Sequence, residues 1–296
     1  MWHNRQKLSL HEHGFQLSFI VMNPSHDPFA PQPGYDGVIV RFTDKRWYLR
    51  HWHSHPVVEI NLVVRGTGSV MLEDRKYPLV PGNLVWLWPG QRHMPVGWSS
   101  DMLMWIIEWH HDYLHILQKA RNKDDLVPAQ PETYWCRNFD TQTMQHILGI
   151  LGGVSAMKKA DTFNKGLQFA LLAIWDEFIQ AKPVENMEFL HPKLERVLAQ
   201  LNNPSGEMSL GQLARNVKMS PYYLSTLFRE QLGLTIPEYR NRQRLNRFFG
   251  LYRAKPEIRL LELALEAGFG SYAQFYRIFT KAVGQTPQSW GKATQE

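Results

Sequence analysis

The spacing of apolar residues changes twice along the chain. From 38 to 109, runs such as Gly37-Val-Ile-Val-Arg-Phe42, Val57-Val-Glu-Ile-Asn-Leu-Val-Val64, Gly68-Ser-Val-Met-Leu72 and Asn83-Leu-Val-Trp-Leu-Trp88 are rich in β-branched and aromatic residues. Gly and Pro turns separate them at intervals of roughly ten residues, a spacing that predicts a small β-barrel or sandwich. Thr141–Leu151 and Asn164–Gln180 then place apolar residues three and four apart, as in Leu167, Ala170, Leu171, Ile174 and Phe178. That period predicts two amphipathic helices. Pro24, Pro28, Pro31, Pro33 and Gly34 forbid regular structure over 23–37. Residues 183–190 read as a linker, and everything from 191 onward reads as helical. The predicted fold class is α+β with two domains: a β domain over 1–125, a helical linker or dimerisation segment over 126–190, and an all-α domain over 191–296.

The last third repeats itself. A shift of 51 positions pairs Ser220 with Ser271, Leu224 with Phe275, Leu227 with Ile278, Phe228 with Phe279, Gly233 with Gly284, Thr235 with Thr286 and Tyr239 with Trp290. Upstream the shift is 50, pairing Leu210 with Leu260, Leu213 with Leu263 and Ala214 with Ala264. One extra residue in the second turn accounts for the difference, and a duplicated supersecondary unit accounts for the repeat. Each copy, 210–232 and 260–283, spells a helix-turn-helix. A short helix meets a turn, a Ser caps the next helix, and a Gly stops it. In the capped helices Leu224, Leu227 and Phe228, or Phe275, Ile278 and Phe279, share the inward face. Tyr222, Ser225, Thr226 and Arg229, or Tyr272, Ala273, Tyr276 and Arg277, face outward.

Charge sharpens this picture. Residues 191–296 carry 15 Lys and Arg against 8 Asp and Glu, while residues 1–190 carry 18 against 19. A basic module attached to a neutral one suits a polyanion partner for the former alone. An α-helix fits the major groove of DNA, where the side chains of its first turns reach base edges, while neighbouring cations hold phosphates. Phosphate contacts are expected of Arg229, Arg240, Arg242 and Lys281. No stretch reaches the ~20 apolar residues of a membrane span, and the N-terminus lacks the apolar block of a secretion signal. Cys136 is the sole cysteine, so no intrachain disulfide forms. The expected location is the cytoplasm.

The stretch Ala264-Leu-Glu-Ala-Gly-Phe-Gly-Ser271, continuing through Phe275-Tyr-Arg-Ile-Phe279 and Lys281 to Gly284-Gln-Thr-Pro287, resembles the signature of the AraC/XylS family of bacterial transcription regulators. The resemblance covers about a hundred residues. It implies a seven-helix domain in which a long helix near Pro237–Tyr252 sets two recognition helices into successive major grooves of double-stranded DNA, often in a dimer. Carried over residue by residue, the base-reading positions are Tyr222, Ser225 and Thr226, then Tyr272, Ala273, Tyr276 and Arg277. It also implies activation more than repression, with RNA polymerase as a partner.

In the β part, His53-Ser-His-Pro-Val-Val-Glu59, followed by six residues and then Gly66, with His93 further on, resembles the metal-site motif of cupin barrels. His53, His55 and Glu59 share strand parity, and three imidazoles with a carboxylate suit a transition metal. Sensor domains of the AraC type resemble cupins, and many keep such histidines without metal. The expectation is therefore an organic-effector pocket holding no cofactor, formed by His53, His55, Glu59, His93, Trp86 and Trp88. Trp47, Trp52, Trp86, Trp88, Trp98, Trp105 and Trp109 make this half aromatic, and sugars stack on such faces. A sugar-like effector is favoured, with the helices at 141–151 and 164–180 as the contact of a homodimer. The alternative, a metal-dependent cupin enzyme, leaves the duplicated basic third unexplained.

Overall fold

The computed structural model describes residues 33–43, 52–109, 135–202 and 208–293. Trp47, the residues before 33 and the tail after 293 lie outside them.

Among the described residues of the first part are seven strands: β1 (Gly37–Phe42), β2 (Val58–Arg65), β3 (Gly68–Leu72), β4 (Arg75–Leu79), β5 (Asn83–Leu87), β6 (His93–Trp98) and β7 (Leu103–Trp109). Three short ones follow: β8 (Cys136–Asn138), β9 (Lys182–Pro183) and β10 (Glu188–Phe189). They form two antiparallel sheets, in the orders β1-β7-β2-β5-β8-β9 and β10-β4-β3-β6. Between the sheets lies an apolar interior of Phe42, Val63, Val70, Leu72, Tyr77, Leu79, Val85, Leu87, Met104 and Ile106. Strand alternation turns Ile60, Leu62, Leu84, Trp86, Ile107 and Trp109 to the opposite face of the larger sheet. Helices α1 (Thr141–Ser155) and α2 (Ala160–Gln180) cover that face with Ile147, Leu151, Leu167, Leu171, Ile174, Trp175 and Phe178. At Gly37 the strand approaches so closely that an added Cβ would sit 2.1 Å from the Glu108 carbonyl oxygen and 2.8 Å from Leu167. Only glycine fits where sheet and helix converge.

The expected linker at 183–190 is not a free tether. Its two short strands pair with β8 and with β4, and the Leu190 amide donates to the Asp74 carbonyl at 2.6 Å. The segment expected to be helical over 126–190 likewise gives β8 and β9 to the larger sheet.

Seven helices follow among the described residues: α3 (Pro192–Asn202), α4 (Leu210–Asn216), α5 (Pro221–Leu232), α6 (Ile236–Ala254), α7 (Leu260–Glu266), α8 (Tyr272–Val283) and α9 (Pro287–Ala293). The repeat appears in matching hydrogen bonds. The Met219 amide donates to the Ala214 carbonyl at 2.9 Å, and its counterpart Phe269 donates to Ala264 at 3.1 Å. Ser220 and Ser271 then open α5 and α8, so the extra residue of the second turn is Gly270. Phe248 in α6 is fully buried, 4.5 Å from the Phe275 ring and 6.1 Å from Trp290, and centres the aromatic core of the second unit.

Candidate nucleic-acid interface and barrel cluster

Local chemistry sets both outward-facing helices. The Ser220 hydroxyl accepts from the Tyr223 amide at 3.2 Å and the Ser271 hydroxyl from the Gln274 amide at 3.2 Å. Each satisfies one of the orphan donors at a helix start. At the other ends Gly233 (φ 67°) and Gly284 (φ 77°) adopt the left-handed conformation that closes a helix. Leu224, Leu227 and Phe228 anchor α5, and Phe275 and Phe279 anchor α8. The opposite faces are open: Tyr222 is 83% exposed, Tyr276 40%, and Ala273, Arg277 and Arg229 are exposed. Ser225 and Thr226 are half-buried on the flank of α5.

Tyr272 is placed differently from its expected role. It occupies the position of Pro221 in the repeat, and its ring packs 5.7 Å from Phe275 and 6.4 Å from Tyr276, half-buried against the core. Tyr223, which spacing alone passes over, is 51% exposed at the start of α5. Its signal is the 51-residue shift, which pairs it with Gln274.

The expected phosphate contacts divide. Arg229 and Lys281 are exposed. Arg240 donates to the Met208 carbonyl within the protein. Arg242 is half-buried, and that partial desolvation lowers its pKa against the pull of Glu238. Both guanidinium groups are thus less open than the Arg229 guanidinium and the Lys281 ammonium, and sequence spacing could not foresee either placement.

The barrel gathers the histidine motif. Residues 53 and 93 form an antiparallel bridge, each amide donating to the other's carbonyl, at 3.0 and 2.9 Å. The His93 ring lies 4.0 Å from that of His53 and 5.0 Å from that of His55. His55 Nε2 lies 2.6 Å from Glu59 Oε2, and the Asn61 amide donates to Glu59 Oε1 at 2.6 Å. Glu108 on β7 stands opposite Glu59 in register and is also buried. Glu108 carries no motif of its own, and its one signal in the chain is a lone charge in Leu-Met-Trp-Ile-Ile-Glu-Trp. The tryptophans do not join this cluster as expected. Trp86 points to the helices, 4.8 Å from Trp175 and 5.4 Å from Phe178, because its neighbours Val85 and Leu87 take the inward positions. Trp88 is half-buried at the end of β5, 5.8 Å from Trp175.

Burial lowers the His93 pKa to about 3, helped by His53 and opposed by Glu59 and the Gln91 carbonyl. Burial by itself would raise Glu59. The bond from His55, the electrostatic influence of the adjoining His93 and His55 rings and the Asn61 amide overcome it, holding the carboxyl well below the usual range. Burial would lower His55, yet Glu59 wins and raises it. The result is a neutral imidazole beside an ion pair. Ring nitrogens of His53, His55 and His93 lie within 4.8 Å of one another, as do ligand atoms of His55, Glu59 and Glu108. His93 and His55 turn Nδ1 toward backbone carbonyls at 3.0 and 3.3 Å, which leaves Nε2 for the interior. This donor set fits a transition-metal ion, while His55 and Glu59 equally satisfy one another.

Comparison with known proteins completes the picture. Residues 37–101 match the AraC-like ligand binding domain, and residues 213–293 match a helix-turn-helix domain, in the order the fold displays. The chain belongs to the AraC/XylS family. As such it is a DNA-binding transcription regulator with a cupin-like N-terminal domain. This AraC-family chain is 23% identical to the Arabinose operon regulatory protein of Escherichia coli, over 80% of its own length and 81% of the relative. It is 25% identical to the HTH-type transcriptional activator RhaR of Yersinia pseudotuberculosis, over 80% and 83%. The solved structure of ToxT from Vibrio cholerae shares 12% identity, with a TM-score of 0.37 over 86% of this chain and 97% of that one. No described helix is long and apolar enough to cross a membrane.

Proposed function

We propose that this regulator senses a small, hydroxyl-rich, sugar-like molecule through its barrel and activates transcription by placing α5 and α8 in successive major grooves. The observation that carries the reading is the paired presentation of two capped helices, each anchored on its apolar side and open on its polar side. Their base-reading side chains are Tyr222, Tyr223, Ser225 and Thr226 on α5, and Ala273, Tyr276 and Arg277 on α8. Arg229 and Lys281 hold phosphate. The effector contacts are His53, His55, Glu59, His93 and Glu108, acceptors and donors that suit hydroxyl groups. Support for a sugar-like ligand comes from relatives that regulate the arabinose and melibiose operons. The chain acts in the cytoplasm as a homodimer through α1 and α2, where Phe169 is 59% exposed, and its output is contact with RNA polymerase.

Two substitutions test the interface. Arg277→Ala is expected to relax sequence preference, because a bidentate base contact is worth about 1–3 kcal/mol of discrimination. Arg229→Ala is expected to weaken binding to specific and random duplexes alike and to reduce the salt slope by about one ion. Affinities measured against both duplexes across a salt series separate the two. Equal effects of both substitutions would contradict the assignment.

A further inference from the structure

The two helix-turn-helix units are bound differently to the rest of the molecule. The core of the first unit contains Leu194, Leu213, Leu224, Phe228, Leu232 and Tyr239, and it also contains Met71 of β3 and Met94 and Val96 of β6. The second unit's core, from Leu245 to Trp290, includes no barrel residue. A second fastening runs beside the first. Glu188 and Phe189 pair with β4, and Gln231 near the end of α5 clasps the same strap. Its side chain accepts from the His191 amide at 2.8 Å and donates to the Phe189 carbonyl at 3.1 Å. Gln231 lies in the last turn of α5 and Val96 sits 3.5 Å from where a Cβ on its closing Gly233 would lie, so both fastenings meet the C-terminal end of the helix, while Tyr222 and Tyr223 at its start stay exposed.

Strand β6 lies between these fastenings and the histidine cluster. In the β3–β6 register, His93 pairs with the inward Leu72 and Met94 with the outward Met71. Successive residues of one strand therefore face the cluster and the first unit's core. Packed interiors transmit small shifts because they do not deform continuously.

We propose that β6 couples the barrel cluster to the first helix-turn-helix unit alone. The barrel and α3–α5 move as one body, and the second unit follows only through α6. This rests on the reading of the barrel as the sensor and names how that sensor is read out: occupancy at His93 alters the pose of α5 and leaves that of α8 to the DNA.

The test uses the full chain and the DNA site it selects, in four forms: intact, with the first unit's half-site scrambled, with the second's scrambled, and with both scrambled. His93→Gln perturbs the cluster without an identified ligand. It is expected to change affinity about fivefold or more wherever the first half-site is present, and not where it is scrambled. In a Met94→Ala/Val96→Ala background the same substitution is expected to change affinity less than about twofold, because the link is cut. An effect that persists in that background, falls equally on both half-sites, or never appears overturns the coupling. A wild-type chain that binds intact and doubly scrambled DNA alike overturns the regulator reading and this proposal with it. Should the interface variants fail to fold, amide exchange on the wild-type chain decides. Amides of β6 and the end of α5 are expected to open as one unit, apart from α8. First-unit amides opening with α8 instead would refute the proposal.

Discussion

Replacing Phe275 with alanine is expected to unfold the second helix-turn-helix unit while sparing the barrel and the first. Phe275 is fully buried, with the rings of Phe248, Phe269 and Phe279 at 4.5, 5.2 and 5.2 Å. Truncating such a side chain removes its transfer energy and leaves a cavity that rigid aromatic neighbours cannot close, a cost of about 3–5 kcal/mol. A small unit whose core shares no residue with its neighbours has little stability to spare. DNA protection over one half-site should vanish and that over the other remain. Unfolding followed by far-UV circular dichroism should acquire an early step. Loss of both half-sites together, or an unchanged unfolding curve, would show that the two cores are not independent.

The second large effect is acid sensitivity centred on His93. Its folded pKa, about 3, lies well below the ordinary imidazole value of 6.5. Above pH 6.5 the group is neutral whether the chain is folded or not and contributes no slope. As pH falls below 6.5 the unfolded chain takes a proton that the folded one refuses, so stability declines by up to about 1.4 kcal/mol per pH unit. Glu59, also depressed when folded, adds a further loss below the usual carboxylate range. His55 has the opposite sign: its raised pKa contributes stability below pH 6.5 that fades as the solution becomes more alkaline. Between pH 6.5 and 4.5 the His93 contribution is therefore roughly 2–3 kcal/mol. Urea unfolding of wild type and His93→Gln over that range reads it, because Glu59, whose depression His93 helps to set, titrates below pH 4.5. The variant should show the flatter curve; parallel curves would mean that His93 is not held neutral in the barrel.

What the sequence disclosed depended on whether a feature was set by neighbours in the chain or by partners far from it. The capped helices were legible because Ser220, Pro221 and Gly233 act locally, and the 51-residue shift exposed the duplication. Strand β4, Arg75-Lys-Tyr-Pro-Leu79, gives little signal in its spacing, since only Tyr77 and Leu79 are buried and a proline interrupts it. Strand β8 owes its place to Arg137, whose guanidinium donates to the carbonyls of Ile179 and Ala181 more than forty residues away. No spacing rule reports such a pairing. Aromatic composition places Trp86 in the pocket, but alternation with Val85 and Leu87 sends it to the helices. The partial burial of Arg242 and the shared core of Met71, Met94 and Val96 likewise depend on how separate elements dock.

Selection from a random pool of duplex DNA by the full chain tests the central claim most directly. The enriched sequences are expected to hold two half-sites about one helical turn apart, 10–10.5 base pairs centre to centre, on one face of the duplex. Substituting Thr226 should alter only the first half-site and substituting Arg277 only the second. Enrichment of a single short motif indifferent to one of these substitutions, or no enrichment over bulk DNA, would contradict two helices reading successive grooves.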